Sequence, residues 1–109
     1  MVQPKLSPDL LRGHTDTMIL KLLLNGDKYG YEINKLILVN SGNQYELKEA
    51  TMYSSLKRLE NEGSIESYWG NATQGSRRKY YIITSIGKNK YKQNKINWEQ
   101  AKNIIECLL

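Results

Sequence analysis

The sequence predicts a mostly α-helical domain with one small β-hairpin, followed by a long amphipathic helix. Apolar residues recur at helical spacing in four separate stretches. Between the third and fourth, two runs rich in aromatic and β-branched residues flank a turn-forming segment, which breaks the helical rhythm and marks the hairpin. With 109 residues, of which 39% are apolar, the chain is long enough for one core and too short for two large domains.

Ser7, Pro8 and Asp9 open the first helix. A serine caps free N–H groups, proline suits the first helical position, and an acid complements the positive end of the dipole. Leu11, Met18, Ile19, Leu22 and Leu23 carry the helix to Asn25-Gly26-Asp27. A second, short helix bears Tyr29, Ile33, Leu36 and Ile37 and stops near Ser41-Gly42-Asn43. The third runs from Lys48 to Glu62, with Met52, Leu56 and Leu59 on one stripe and Gly63 as its stop. About 100° of rotation per residue puts Ala50, Ser54, Lys57 and Asn61 on the opposite side, with Thr51, Tyr53 and Arg58 on the shoulders.

Residues 65–69 and 79–83 then form the hairpin, with 70–76 as a long tip. Alternation does not decide which of Tyr80 and Tyr81 points inward, since four large residues follow one another. Thr84 or Ser85 caps a last helix in which Tyr91, Trp98, Ala101, Ile105 and Leu108 follow spacings of seven, three, four and three. That seam is longer than so small a domain needs. A symmetric homodimer is its simplest partner; the alternative is that the helix folds back on its own domain.

Composition removes several function classes. One cysteine, Cys107, and one histidine, His14, leave no material for a structural zinc site, an intrachain disulfide or a Cys/His nucleophile pair, and no cofactor or metal is expected. No apolar run approaches the ~20 residues needed to cross a bilayer, and Met1 to Leu6 does not open a secretory signal, so a soluble, cytoplasmic, membrane-free protein is expected. No Ser/His/Asp set or phosphate-binding glycine loop is present, which argues against an enzyme and leaves no catalytic residue to name.

Charge points elsewhere. No acid occurs between Ser67 and Trp98, whereas Arg77, Arg78, Lys79, Lys88, Lys90, Lys92 and Lys95 do, leaving a net −2 elsewhere in a chain of net +5. A concentrated field of one sign attracts a polyanion, most commonly nucleic acid; the duller reading is a solvated face. Three helices followed by a hairpin are the order of a winged helix-turn-helix, whose third helix enters the major groove of double-stranded DNA. Ala50, Thr51 and Ser54 permit close approach, while Tyr53, Lys57 and Arg58 reach phosphates or guanine acceptors. At the hairpin, Gly75 and Ser76 precede Arg77, Arg78 and Lys79, a cationic arm for the backbone or minor groove. Lys57 and Arg58 have a second reading as partners of Glu60 or Glu62, and the Arg77 to Lys79 triplet as a charged edge strand.

Four segments in order carry a resemblance: Tyr29-Gly30-Tyr31-Glu32-Ile33; Glu49-Ala50-Thr51-Met52-Tyr53; Leu56 to Gly63; and Gly75 to Tyr81, leading into Thr84-Ser85-Ile86-Gly87. Through them the chain strongly resembles the PadR family of bacterial transcriptional regulators from about Leu10 to Trp98. The resemblance implies a homodimeric repressor on a roughly palindromic operator, with a DNA-binding domain over residues 1–83 and a dimerisation helix over 84–109. The single short C-terminal helix looks like the subfamily that includes multidrug-sensing regulators. There a tryptophan lines a pore between subunits, and Trp98 holds the matching place, faced by Leu10, Gly13 and Thr17. Lys102, one turn on, disfavours cationic drugs, so any planar aromatic effector is expected to be neutral or anionic. Trp98 has a second reading in which it only packs the dimer seam. Tyr29 and Tyr31 are expected to be scaffolding, and Trp69 to be packing. The rival to DNA binding is a protein-interaction adaptor whose basic face meets an acidic partner.

Overall fold

The computed structural model describes residues 8–70 and 77–109. The order is α1 (Pro8–Leu11), a 3₁₀ turn (Arg12–His14), α2 (Thr15–Leu24), β1 (Lys28–Tyr29), α3 (Gly30–Asn40), α4 (Glu49–Asn61), β2 (Ile65–Trp69), β3 (Lys79–Ile83) and α5 (Ser85–Leu108). Ser7, and residues 71–76 of the expected hairpin tip, lie outside the described residues.

The expected first helix is broken. Leu11 and His14 take φ/ψ near −110°, 0° on either side of Gly13, which carries the helix penalty of a residue without a Cβ. The break separates Leu10, 68% exposed, from α2, whose Ile19, Leu20 and Leu23 are buried. Ile33 and Ile37 of α3 and Met52, Leu56 and Leu59 of α4 meet them, closed over by Ile65 and Tyr81 from the sheet. Tyr81 is therefore the inward-facing member of its pair. Tyr45 and Leu47 complete the core from the α3–α4 connection, where no periodicity announces them. That connection is shaped by Ser41, whose Oγ donates to the Leu38 carbonyl at 2.9 Å and accepts from the Tyr45 N–H at 3.0 Å.

The hairpin is part of a three-stranded antiparallel sheet in the order β1-β3-β2. Ile65 pairs with Ile83 and Trp69 with Lys79, while Lys28 and Tyr29 add to the far edge of β3 opposite Tyr81 and Tyr80. Tyr29 thus belongs to a strand rather than to the second helix. Two residues are too few to display alternation, and the partner strand that makes them β is remote in sequence.

The passage from α4 to α5 is tightly built. Gly63, at φ +80°, ends α4 in a left-handed turn, with the Ser64 N–H on the Leu59 carbonyl at 2.9 Å and the Gly63 N–H on that of Glu60 at 3.0 Å. Thr84 Oγ1 donates to the Gly63 carbonyl at 2.6 Å and accepts from the Gly87 N–H at 3.2 Å, capping α5. Gly87 packs so closely that a Cβ there would fall 2.1 Å from the Ser64 carbonyl oxygen. From this anchor the first half of α5 lies on α2: Tyr91 packs against the core, and Asn94 Nδ2 donates to Thr17 Oγ1 at 3.0 Å. From Ile96 onward the helix leaves Ile96, Trp98, Ile104, Ile105 and Leu108 exposed.

Because the obstacle at Gly87 is backbone, Gly87→Ala is expected to cost roughly 1–3 kcal/mol, measured as a lowered denaturation midpoint. An unchanged midpoint would mean that α5 can slide along the turn without penalty.

Candidate nucleic-acid interface

Burial of Met52, Ser55, Leu56 and Leu59 sets the rotation of α4. Ala50, Thr51, Tyr53, Ser54, Lys57 and Asn61 consequently face solvent, on a surface that is small, hydroxylated and cationic.

Arg58 has a different occupation. Its Nη2 donates to Asp16 Oδ1 at 2.7 Å and to Ser55 Oγ at 3.1 Å, and its Nε donates to Asp16 Oδ2 at 3.2 Å. The hydrogen bond to Asp16, reinforced by that residue's charge, raises the guanidinium pKa further. Its partner is Asp16 on α2, not the neighbouring Glu60 or Glu62. Asp16 also lies 3.8 Å from Lys90 Nζ, which is 2.6 Å from Glu62 Oε2. Two cations of the sequence thus tie α2, α4 and α5 together, a constellation with no local signature. Glu60 accepts instead from the Ser67 hydroxyl.

On the wing, the Arg78 guanidinium lies 4.6 Å from the Tyr29 ring centroid, Arg77 lies 5.7 Å from that of Trp69, and Lys79 Nζ 5.8 Å from that of Tyr81. Tyr80 stacks on Tyr68 at 5.6 Å and meets Tyr29 edge-on at 5.5 Å. The Tyr68 hydroxyl donates to Asp27 Oδ2 at 2.6 Å, which raises its pKa and ties β2 to the start of β1. Gly75 and Ser76, expected in the cationic arm, lie outside the described residues.

Tyr53 of α4, Lys79 of β3 and Arg78 just before it line one concavity of about 380 Å³, together with Tyr29, Tyr31 and Trp69. Helix and wing therefore share a face. Tyr31 and Trp69 are not packing residues: they are 67% and 56% exposed. Tyr31 lies two positions, about 200°, from the buried Ile33, which turns it away from the core. Trp69 lies at the far end of β2, beyond the reach of the core beneath Ile65.

Elsewhere, Gly13 and Thr17 meet Trp98 and Ala101 around a hollow of about 320 Å³. Leu11 lines an adjoining hollow with Tyr91 and Trp98, whereas the exposed Leu10 lines neither. Lys102 Nζ lies 5.6 Å from the Trp98 ring centroid. Of the expected dimer contacts, Trp98, Ala101, Ile105 and Leu108 are exposed, but Tyr91 is half-buried on its own domain. No group of three or more His, Cys, Asp or Glu arranged to hold a metal ion occurs among the described residues. None of the described helices is long and apolar enough to cross a membrane.

A buried-backed helix with a small, cationic outer face beside a basic antiparallel wing defines a winged-helix DNA-binding protein. The chain belongs to the transcriptional regulator PadR-like family, whose model matches residues 19–93. It is similar to the solved structure of a transcriptional regulator from Clostridium thermocellum, at 46% identity and a TM-score of 0.86, covering 93% of this chain and 95% of the other. A PadR family transcription regulator from Clostridium difficile is 39% identical with a TM-score of 0.75, over 86% of this chain and 96% of that one. An uncharacterized protein of Lysinibacillus sphaericus is 43% identical over 101 residues, 93% of each chain. The chain is thus a DNA-binding regulator of transcription, not an enzyme.

Burial, with a smaller push from Glu60, lifts the Tyr81 phenol above its ordinary value of 10.0. The neutral form is favoured by folding, so this contribution to stability is complete below pH 10 and lost as pH rises through the higher folded-state value. An alkaline absorbance titration is expected to show a late-ionising component, from Tyr68 and Tyr81 together, that shrinks in Tyr81→Phe. Simultaneous ionisation of all eight tyrosines would contradict the burial argument.

Proposed function

We propose that the chain acts as a homodimeric repressor on a roughly palindromic operator. Residues 1–83 serve as the reading domain and 84–109 as the joining helix. Ala50, Thr51, Tyr53, Ser54 and Lys57 enter the major groove, while Arg77, Arg78 and Lys79, continued by Gly75 and Ser76, follow the backbone beside it. The observation that carries this reading is the concavity in which Tyr53 of α4 meets Arg78 and Lys79 of the wing, because it aims both basic elements at one duplex. Arg58 is left out of the contact set, being engaged by Asp16.

Dimerisation is supported by the apolar side of α5, where Trp98, Ile105 and Leu108 are 45%, 54% and 79% exposed. Such a stripe on a helix of about 36 Å is a seam for a second copy. A two-fold axis then repeats the reading helix at about one DNA turn, ~34–36 Å, which is what a palindrome requires. A neutral or anionic aromatic effector is proposed to enter between the subunits beside Trp98, against Gly13 and Thr17, and release the DNA. Lys102, already over the indole, opposes cations.

A mobility shift with the region upstream of the chain's own gene tests the reading; an intact fold that shifts no DNA at low salt favours the protein adaptor instead. Lys57→Ala and Arg78→Ala are each expected to weaken binding and flatten the log–log salt dependence by about 0.9 without unfolding the domain. Unaltered slopes in both would remove these residues from the interface. Ile105→Asp is expected to convert the dimer to a monomer in light scattering and to lose tight operator binding; a dimer that survives it would place the seam elsewhere.

A further inference from the structure

The concavity between α3, α4 and the wing holds more aromatic surface than contact with a duplex employs. Paired bases bury their faces in the stack, so a groove-binding protein meets edges and phosphates. Yet Tyr31, Tyr53 and Trp69 stand 67%, 46% and 56% exposed around this one hollow, and Tyr29 forms its wall. Exposed rings gathered about a space of some 380 Å³ offer π faces to a free planar ring, and that volume suits a compound of one or two rings.

The charge of the hollow selects among such compounds. Arg78 stacks over Tyr29 at 4.6 Å, and neither Arg78 nor Lys79 enters an ion pair among the described residues. A guanidinium placed over a ring and outside any ion pair keeps N–H groups for donation to a carboxylate. The nearest acid on α3, Glu32, is turned to the Tyr29 N–H at 3.2 Å and caps the helix. Gly30 begins that helix, and the Tyr53 hydroxyl closes over it, 2.7 Å from where a Cβ would stand. Two cations, Arg78 and Lys79, therefore line the space, which disfavours cationic ligands and suits anions.

We propose that this hollow is a small-molecule site, separate from the groove at Trp98, that takes a planar aromatic anion and so competes directly with DNA. Competition follows because the ligand would occupy Tyr53 of the reading helix and Arg78 of the wing together; this half rests on the DNA-binding geometry under Proposed function. Binding itself does not, and is measured without DNA.

The probe is naphthoate, followed by nitrogen–proton NMR of the two indole N–H groups, with Trp98→Ala assigning which signal is Trp69. The Trp69 signal is expected to shift saturably with naphthoate and to remain still with naphthylmethylamine, its cationic analogue. Arg78→Gln and Tyr31→Ala, both at exposed positions, are each expected to weaken the Trp69-reported affinity about tenfold with the helical circular dichroism unchanged. A shift confined to Trp98, equal affinity for the cation, or affinity indifferent to both substitutions overturns the site. A single-stranded oligothymidylate that moves the Trp69 signal at lower concentration than naphthoate reassigns the hollow to unpaired bases and equally overturns it. In the second arm, saturating naphthoate is expected to release the upstream DNA fragment; release absent while the Trp69 signal is saturated refutes the competition. A chain that binds no fragment at all refutes the DNA reading and leaves the NMR result to decide the site.

Discussion

The contact between the first turn of α5 and the turn that ends α4 governs the arrangement of everything else. Gly87 lies against the Ser64 carbonyl with no room for a methyl group, and Thr84 bonds both to Gly63 and to its own helix. Backbone against backbone is stiff, because neither side has a rotamer to change. The direction of α5 is thereby coupled to α4, the helix proposed to face DNA. In a dimer joined along α5, small rotations at the seam would reach α4 through this junction rather than dissipate in a loop.

Charge is divided along the same lines. Asp16 engages Arg58 and approaches Lys90, and Glu62 engages Lys90, so those cations brace three helices from within one surface. Individually such part-exposed pairs stabilise by only about 0–1 kcal/mol. Their larger effect is to sort the cations: Arg58 and Lys90 are paired with acids at helix crossings, while Lys57, Arg77 and Arg78 enter no ion pair among the described residues. The net +5 of the chain therefore understates how one-sided the exposed field is. The wing's cations lie on aromatic rings rather than beside carboxylates, an arrangement that holds them in place while leaving their charge uncompensated.

Much of this was legible in the linear order of residues. The stripe of Met52, Leu56 and Leu59 predicts which side of α4 is buried, and hence that Ala50, Ser54 and Lys57 face outward. Gly63 as a stop follows from local chemistry and is found in that role, and of the two candidate caps, Thr84 and Ser85, the structure uses Thr84. What periodicity misses is short or remote. The two-residue β1 has no period, the 3₁₀ break before α2 interrupts an otherwise continuous pattern, and Tyr45 and Leu47 enter the core from a connection. Tyr31 and Trp69 mislead for a related reason: aromatic residues usually mark interiors, but these two lie on an outward helix face and at a strand end.

Local sequence by itself determined the helices, their buried sides, the hairpin and the concentration of positive charge, since each depends on neighbours a few residues apart. Only the tertiary structure decided the partners that are far apart in the chain: Asp16 for Arg58, β3 for Lys28 and Tyr29, and Thr17 for Asn94. It also decided which rings gather at the wing. Those choices depend on how the packed elements are oriented in space, and orientation is set by the shapes of whole faces in contact, a quantity no short stretch of residues contains.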